Sequence, residues 1–381
     1  MSHAHLRELE SPAGPDHPVH VYFRPQFAIS LVRNVLSFLD RHYFRSRWVG
    51  FEGWPARNNP NVPLIFIGNH SGMAFPWDAM IFLGRLLRAS GYDFTSSCRP
   101  LVAPALSRSP IMSPFFLPDF WRRAGGVDAS LENFEALIGD PGASVMIYPE
   151  GIAGIGKGFN HRYQLQRFSN SFLRMALKHR TDIVPVLTVN GEFINPLGYR
   201  VQWLNRLAQK IGVPFVPVGP LTGLVGIQPW SFYFGMPARL TYVRGRRIRV
   251  DELTDTPYEK LTQRELNRIR SGVQNRVQED LNEAVSQHGR DPYQFEELAE
   301  NWFENRKRLL YILPSGWPLL FQEHHRLFEL NEENPIFRMA HDNLSHIAAI
   351  LRNPDVLAYH LPFLGWPALL SMKLKLFLGR G

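Results

Sequence analysis

From about residue 62 to 250, short apolar runs bounded by Pro and Gly alternate with helical patterns. Leu64-Ile65-Phe66-Ile67, between Pro63 and Gly68, has no polar position, which is the pattern of a strand buried on both faces. Pro76 suits the first position of a helix that carries Met80, Ile81, Leu83, Leu86 and Leu87 and is closed by Gly91. Asp128 or Ser130 is placed to cap a helix through Ile138, ended by Gly139-Asp140-Pro141-Gly142. Val145 to Tyr148 reads as the next strand, Ser169 to His179 as a helix, and Ile183 to Val189 as another strand. This alternation predicts an α/β fold, a mostly parallel sheet flanked by helices.

The stretch Ile211 to Pro237 is rich in Gly, Pro, Trp and Phe and fits neither period. After Arg249 the pattern turns helical: Leu266, Ile269, Val273, Val277, Leu281 and Val285 recur at helical spacing, and Asp291-Pro292 is placed to open a further helix. The expected organisation is an N-terminal region (1–50) with an amphipathic helix, an α/β domain (51–250) and a helical C-terminal extension (251–381). Two segments admit two readings, a helix lying flat on a bilayer or a helix packed on the protein core. In 27–44 the apolar stripe is Phe27, Leu31, Val35, Phe38 and Leu39. In 357–378, a short helix starting near Pro367 has Lys373 and Lys375 as its only cations.

Composition narrows the classes. With 45% hydrophobic residues among 381, the chain is not disordered over most of its length. Cys98 is the one cysteine, which excludes an internal disulfide and a multi-cysteine zinc site. Net charge is +8, so anionic partners are expected, and without a recognisable nucleic-acid module an acidic lipid surface or phosphorylated substrates are expected over nucleic acid. The first 26 residues lack the apolar core of a secretory signal, and no apolar run is long enough to predict a transmembrane helix.

Chemistry concentrates at strand ends. The first strand runs into Gly68-Asn69-His70-Ser71-Gly72, with Asp78 shortly after, and the strand at 145 runs into Tyr148-Pro149-Glu150-Gly151. Carboxyl ends of strands border the binding crevice of an open α/β sheet. A carboxylate holding one imidazole nitrogen leaves the other free to take a proton, so His70 and Asp78 are a candidate base and its orienting partner. The bland alternative is that Asp78 only favours a helix N-terminus.

Four ordered blocks together resemble the glycerophospholipid acyltransferase family, whose type member makes phosphatidate from lysophosphatidate. They are Asn69-His70 to Asp78, Arg122-Arg123-Ala124-Gly125-Gly126-Val127, Tyr148-Pro149-Glu150-Gly151, and Ile183-Val184-Pro185-Val186. They cover roughly residues 50 to 250. Ser71 to Trp77 make a longer loop than the family usually has between its His and Asp. Ile152-Ala153 stands where Thr-Arg or Thr-Ser often follows, and 157–168 looks more like relatives that acylate other, sometimes neutral, lipids.

The resemblance implies a membrane-associated O-acyltransferase, peripheral on the cytoplasmic face. It would move a fatty acyl group from an acyl-CoA or acyl carrier protein thioester to a hydroxyl of a lysophospholipid or related lipid. His70 and Asp78 would be the catalytic pair. Arg122, Arg123, Glu150, Gly151, Lys157 and Arg162 would bind substrate, with Arg167 a further candidate for phosphate. No metal and no cofactor beyond the thioester co-substrate is expected. The alternatives are a lipid hydrolase or transacylase using the same pocket, and a catalytically silent lipid-binding protein. A near phosphate-binding loop at 151–158 lacks the hydroxyl that magnesium needs. The basic cluster Arg244, Arg246, Arg247 and Arg249 reads equally as a headgroup or coenzyme A contact and as a solvated turn.

Overall fold

The computed structural model describes residues 14, 16–73, 75–210, 215–331 and 337–378. Its sheet strands are β1 (Arg47–Val49), β2 (Ile65–Gly68), β3 (Cys98–Val102), β4 (Val127–Asp128), β5 (Ser144–Ile147) and β6 (Ile183–Val189). A separate two-stranded ladder, β7 (Tyr199–Arg200) with β8 (Pro217–Val218), precedes the last sheet strand, β9 (Thr241–Arg244). The seven-stranded order is β1-β9-β6-β2-β5-β3-β4. Strands β6, β2, β5, β3 and β4 run parallel, whereas β9 is antiparallel to β6 and carries β1 parallel beside it. The molecule is an α/β protein with a mostly parallel sheet flanked by helices, and its C-terminal part is helical.

Every residue of β2, β5 and β6 is buried, as their apolar runs require. Alternate side chains feed two layers: Leu64 and Phe66 join one, Ile65 and Ile67 the other. The first layer contains the helices Trp77–Ala89 and Trp317–Leu330 and the helical segment 25–44. The second contains Leu131–Ile138, Ser171–His179 and Gln263–His288.

Local expectations resolve in physical terms. Ser130, not Asp128, caps its helix, accepting the N–H of Asn133 at 3.0 Å, while Asp128 ends β4. The helix expected at Asp291-Pro292 begins at Phe295, because Asp291 Oδ1 takes the Gln294 N–H in a turn where Gln294 has φ of 45°. The stripe Phe27, Leu31, Val35, Phe38 and Leu39 is entirely buried, so of the two readings open for 27–44 the structure has the packed one. Gly365–Leu378 is helical, with Leu369 buried and Phe363 and Leu364 exposed just before it. The side chains of 373–378, Lys373 and Lys375 included, lie outside the described residues. Among the described residues no helix is long and apolar enough to cross a membrane.

Candidate active site

Strand β2 delivers Asn69-His70 to the carboxyl edge of the sheet, and its neighbour β5 delivers Tyr148-Pro149-Glu150 beside them. The chain leaves β2 for β3 on one side and later places β6 on the other, so this edge is a point where strand order switches, the usual place for a crevice. The Asn69 side chain continues the sheet past the end of β2. Its Nδ2 donates to the Thr188 carbonyl at 3.0 Å, and its Oδ1 accepts the Thr188 N–H at 2.7 Å. His70 therefore stands on a fixed backbone.

His70 Nδ1 lies 2.8 Å from Asp78 Oδ2. Asp78 is in the first turn of Trp77–Ala89, where the helix end favours a negative charge. Its buried carboxylate also accepts the Ser71 N–H at 3.2 Å and the Ala79 N–H at 2.9 Å. The long loop returns to His70 because Trp77 pins it: the indole Nε1 donates to the Tyr233 carbonyl at 2.9 Å and its ring packs on Phe75 and Trp317. With Nδ1–H given to the carboxylate, Nε2 is the nitrogen left to accept a proton. The His70 ring lies against Tyr148, centroids 4.4 Å apart.

Glu150 is buried and acts as a strut. One carboxylate oxygen accepts the His70 N–H at 3.0 Å, the other the Gln166 N–H at 2.5 Å. Burial pushes its pKa up, opposed by Lys157 and by those two donors. Gly151 has φ 56° and ψ −143°, a conformation that side chains rarely adopt, so the turn after Glu150 requires glycine.

His70, Glu150 and Gly151 border a cavity of about 1030 Å³, and its walls are overwhelmingly apolar. Leu31, Met80, Leu87, Phe120 and Trp121 line it, together with Val225 and Trp366 from later in the chain. That volume suits a drug-sized molecule or a long aliphatic chain. Cys98 also lines it, but burial pushes its thiol well above the usual range.

The remaining sequence candidates do not converge on the cavity. Arg122 pairs with Asp128 at 2.8 Å and lies over the Tyr22 ring. Arg123 pairs with Glu329 at 2.5 Å between the Phe27 and Phe328 rings. Lys157 is buried 3.0 Å from Glu192; burial alone would lower its pKa, but Glu192 and Glu150 outweigh it and hold the ammonium above its ordinary value. Arg162 is exposed over Phe159. Among the described residues, the arginines and lysines that line the cavity are Arg99 and Arg167. Arg99 is buried and committed to the carbonyls of Gly125 and Val19, whereas Arg167 is exposed and has no ion pair or hydrogen bond among the described residues. Val225 and Trp366 carry no sequence signal that ties them to His70. Among the described residues there is no cluster of three metal-ligating side chains.

No protein-family model matches the chain. It is 31% identical over 227 residues to an uncharacterised protein of Mycobacterium leprae, covering 58% of each. Uncharacterised proteins of Mycobacterium bovis and Mycobacterium tuberculosis are 30% identical over 220 residues, 56% of this chain and 58% of theirs. The chain thus spans 58% of the length of the curated relatives it matches. Among solved structures, the crystal structure of the 1-acyl-sn-glycerophosphate acyltransferase of Thermotoga maritima is similar at 15% identity and a TM-score of 0.35, over 65% of this chain and 80% of that one.

Proposed function

We propose that the protein is a lipid O-acyltransferase that moves a fatty acyl group from a thioester to a lipid hydroxyl. The observation that carries this reading is the His70–Asp78 pair, 2.8 Å apart, at the border of an apolar cavity of about 1030 Å³. His70 Nε2 takes the proton of the acceptor hydroxyl, and the oxygen attacks the thioester carbonyl carbon. The tetrahedral intermediate collapses with cleavage of the C–S bond. The thiolate leaves and receives the proton from His70, so an ester and a free thiol are the products. Asp78 fixes the imidazole tautomer and stabilises the transient imidazolium. No acyl-enzyme is needed, in keeping with a Cys98 thiol that burial pushes well above its usual range.

Of the residues proposed for substrate binding, Glu150 and Gly151 shape the cavity border. Arg167, exposed and lining the cavity, is the cation we assign to a phosphate, since a guanidinium suits a two-bonded contact. A lysophospholipid acceptor with an acyl-CoA or carrier-protein donor fits this arrangement. The test is thiol release from acyl-CoA with lysophosphatidate, with a neutral monoacylglycerol, and with no acceptor. Acceptor-dependent release is expected, falling about 10²–10⁴-fold in His70→Ala. Release without acceptor makes the protein a hydrolase, and near-normal turnover by a folded His70→Ala ends the proposal.

A further inference from the structure

Between Glu192 and Asp251 the chain has no carboxylate side chain, although acids are spread through the rest. Within that interval Arg200, Arg206 and Lys210 are exposed and make no ion pair among the described residues. Residues 211–238 carry no charge of either sign, and neither do 361–372. These two uncharged stretches meet: the Phe363 N–H donates to the Ile227 carbonyl at 2.8 Å, and Trp366 Nε1 to the Val225 carbonyl at 2.6 Å. Together the helix Pro220–Ile227 and the turn before Gly365–Leu378 form a cap, and Leu221, Val225 and Trp366 line the cavity from its inner side.

The outside of the cap is apolar. Phe363 is 71% exposed, Leu364 69%, and Leu224 and Ile227 add to them. The ladder of β7 with β8 joins the cap to the helix Gln202–Gln209, where Trp203 is 64% exposed and Leu207, one turn on, is exposed as well. Large apolar side chains in one neighbourhood, bordered by unpaired cations, mark an interaction surface.

We propose that this face, the cap with the Gln202–Gln209 helix, docks on an anionic lipid bilayer and seats the cavity against the membrane that supplies its substrate. Charge decides the occupant. A second copy of the chain in a two-fold dimer would bring Arg200, Arg206 and Lys210 of the two copies to one interface and set like charges together. An anionic bilayer complements both the apolar centre and Arg200, Arg206 and Lys210. That the cavity takes a lipid rests on the acyl-transfer reading; the docking face rests on its own exposure and charge.

The test is flotation of the full chain with phosphatidylcholine vesicles, with and without phosphatidylglycerol, at low and high salt. Binding is expected to favour the anionic vesicles and to weaken with salt. The triple variant Trp203→Ser/Phe363→Ser/Leu364→Ser is expected to lose affinity about tenfold or more. Arg200→Glu/Arg206→Glu/Lys210→Glu is expected to remove the preference for anionic lipid. Failure of the wild type to bind, unchanged binding by both variants, or a dimer that the same substitutions dissociate overturns the proposal. Thiol release from a soluble short-chain thioester is read in parallel and is expected to be unchanged in both variants. If vesicle binding behaves as described while no acceptor ever accelerates thiol release, the docking face stands and the transferase reading falls.

Discussion

Glu150 is the residue whose chemistry is most constrained by its partners. Its two oxygens each receive a backbone N–H, one from His70 and one from Gln166, so both acceptors are in use. Glu150→Gln keeps the shape but replaces one acceptor with an NH₂ that faces another donor. A buried N–H left without a partner costs about 1–3 kcal/mol. The variant is therefore expected to melt at lower temperature and to turn over more slowly, without a matching rise in KM for the thioester. Gly151 makes a complementary case: its φ of 56° with ψ of −143° penalises any side chain, although no atom would crowd a Cβ there. Gly151→Ala is expected to cost about 1–3 kcal/mol through backbone strain alone. Urea unfolding of the variant checks this, since a purely steric role would leave it unchanged.

Among the elements, the helix Gln263–His288 does more than cover the sheet. Its apolar side, from Leu266 to Ala284, packs in the second layer, and a capping box of Thr262 with Glu265 starts it. Its polar side holds the loop beside the site. Gln274 accepts the Phe168 N–H at 3.0 Å, and Gln278 accepts the Leu165 N–H at 2.8 Å while donating to the Tyr163 carbonyl at 2.9 Å. That loop supplies the Gln166 N–H to Glu150 and carries Arg167. Gln274→Ala/Gln278→Ala is expected to speed amide exchange at Leu165 and Phe168 and to lower turnover, with a smaller loss of global stability. Equal exchange in the two proteins would remove this role. The apolar period announced the helix, but nothing in a polar face says which loop it holds. The same division runs through the fold. The apolar runs of β2, β5 and β6 disclosed themselves, whereas β3 did not, because it contains Arg99 and Pro100 and buries the arginine through hydrogen bonds to distant carbonyls. His70 and Asp78 were a candidate pair from a strand end and short-range spacing, and the four-block resemblance strengthened them and added Glu150; the structure brings the three together at one sheet edge. Arg122 and Arg123 were drawn in by the block pattern, and the structure pairs them with Asp128 and Glu329, away from the residues that line the cavity.

At the scale of the whole molecule, the N-terminal helical segment packs on the C-terminal helices, and this layer holds His324 and His42 buried and His346 half-buried. His324 Nε2 lies 2.9 Å from Ser30 Oγ, and the ring packs among Phe27, Phe328 and Phe337. Burial pushes its pKa down to about 3, and likewise those of His42 and His346 to about 4. Each ring stays neutral in the fold, while in the unfolded chain it takes up a proton below about pH 6.5. Stability is whole above that pH and is lost as pH falls through the window down to about 4, and for His324 to about 3. A fully buried group contributes up to about 1.4 kcal/mol per pH unit, which applies to His324 and less to the other two, which are more open. The layer they hold reaches the site, since Trp317, in the same helix as His324, packs on Trp77 beside Asp78. Urea unfolding is therefore expected to show stability falling steadily between pH 6.5 and 4.5. His324→Gln is expected to be less stable at pH 7 but to have a shallower slope across the window. A wild-type slope that the substitution leaves intact would place the acid sensitivity elsewhere in the chain.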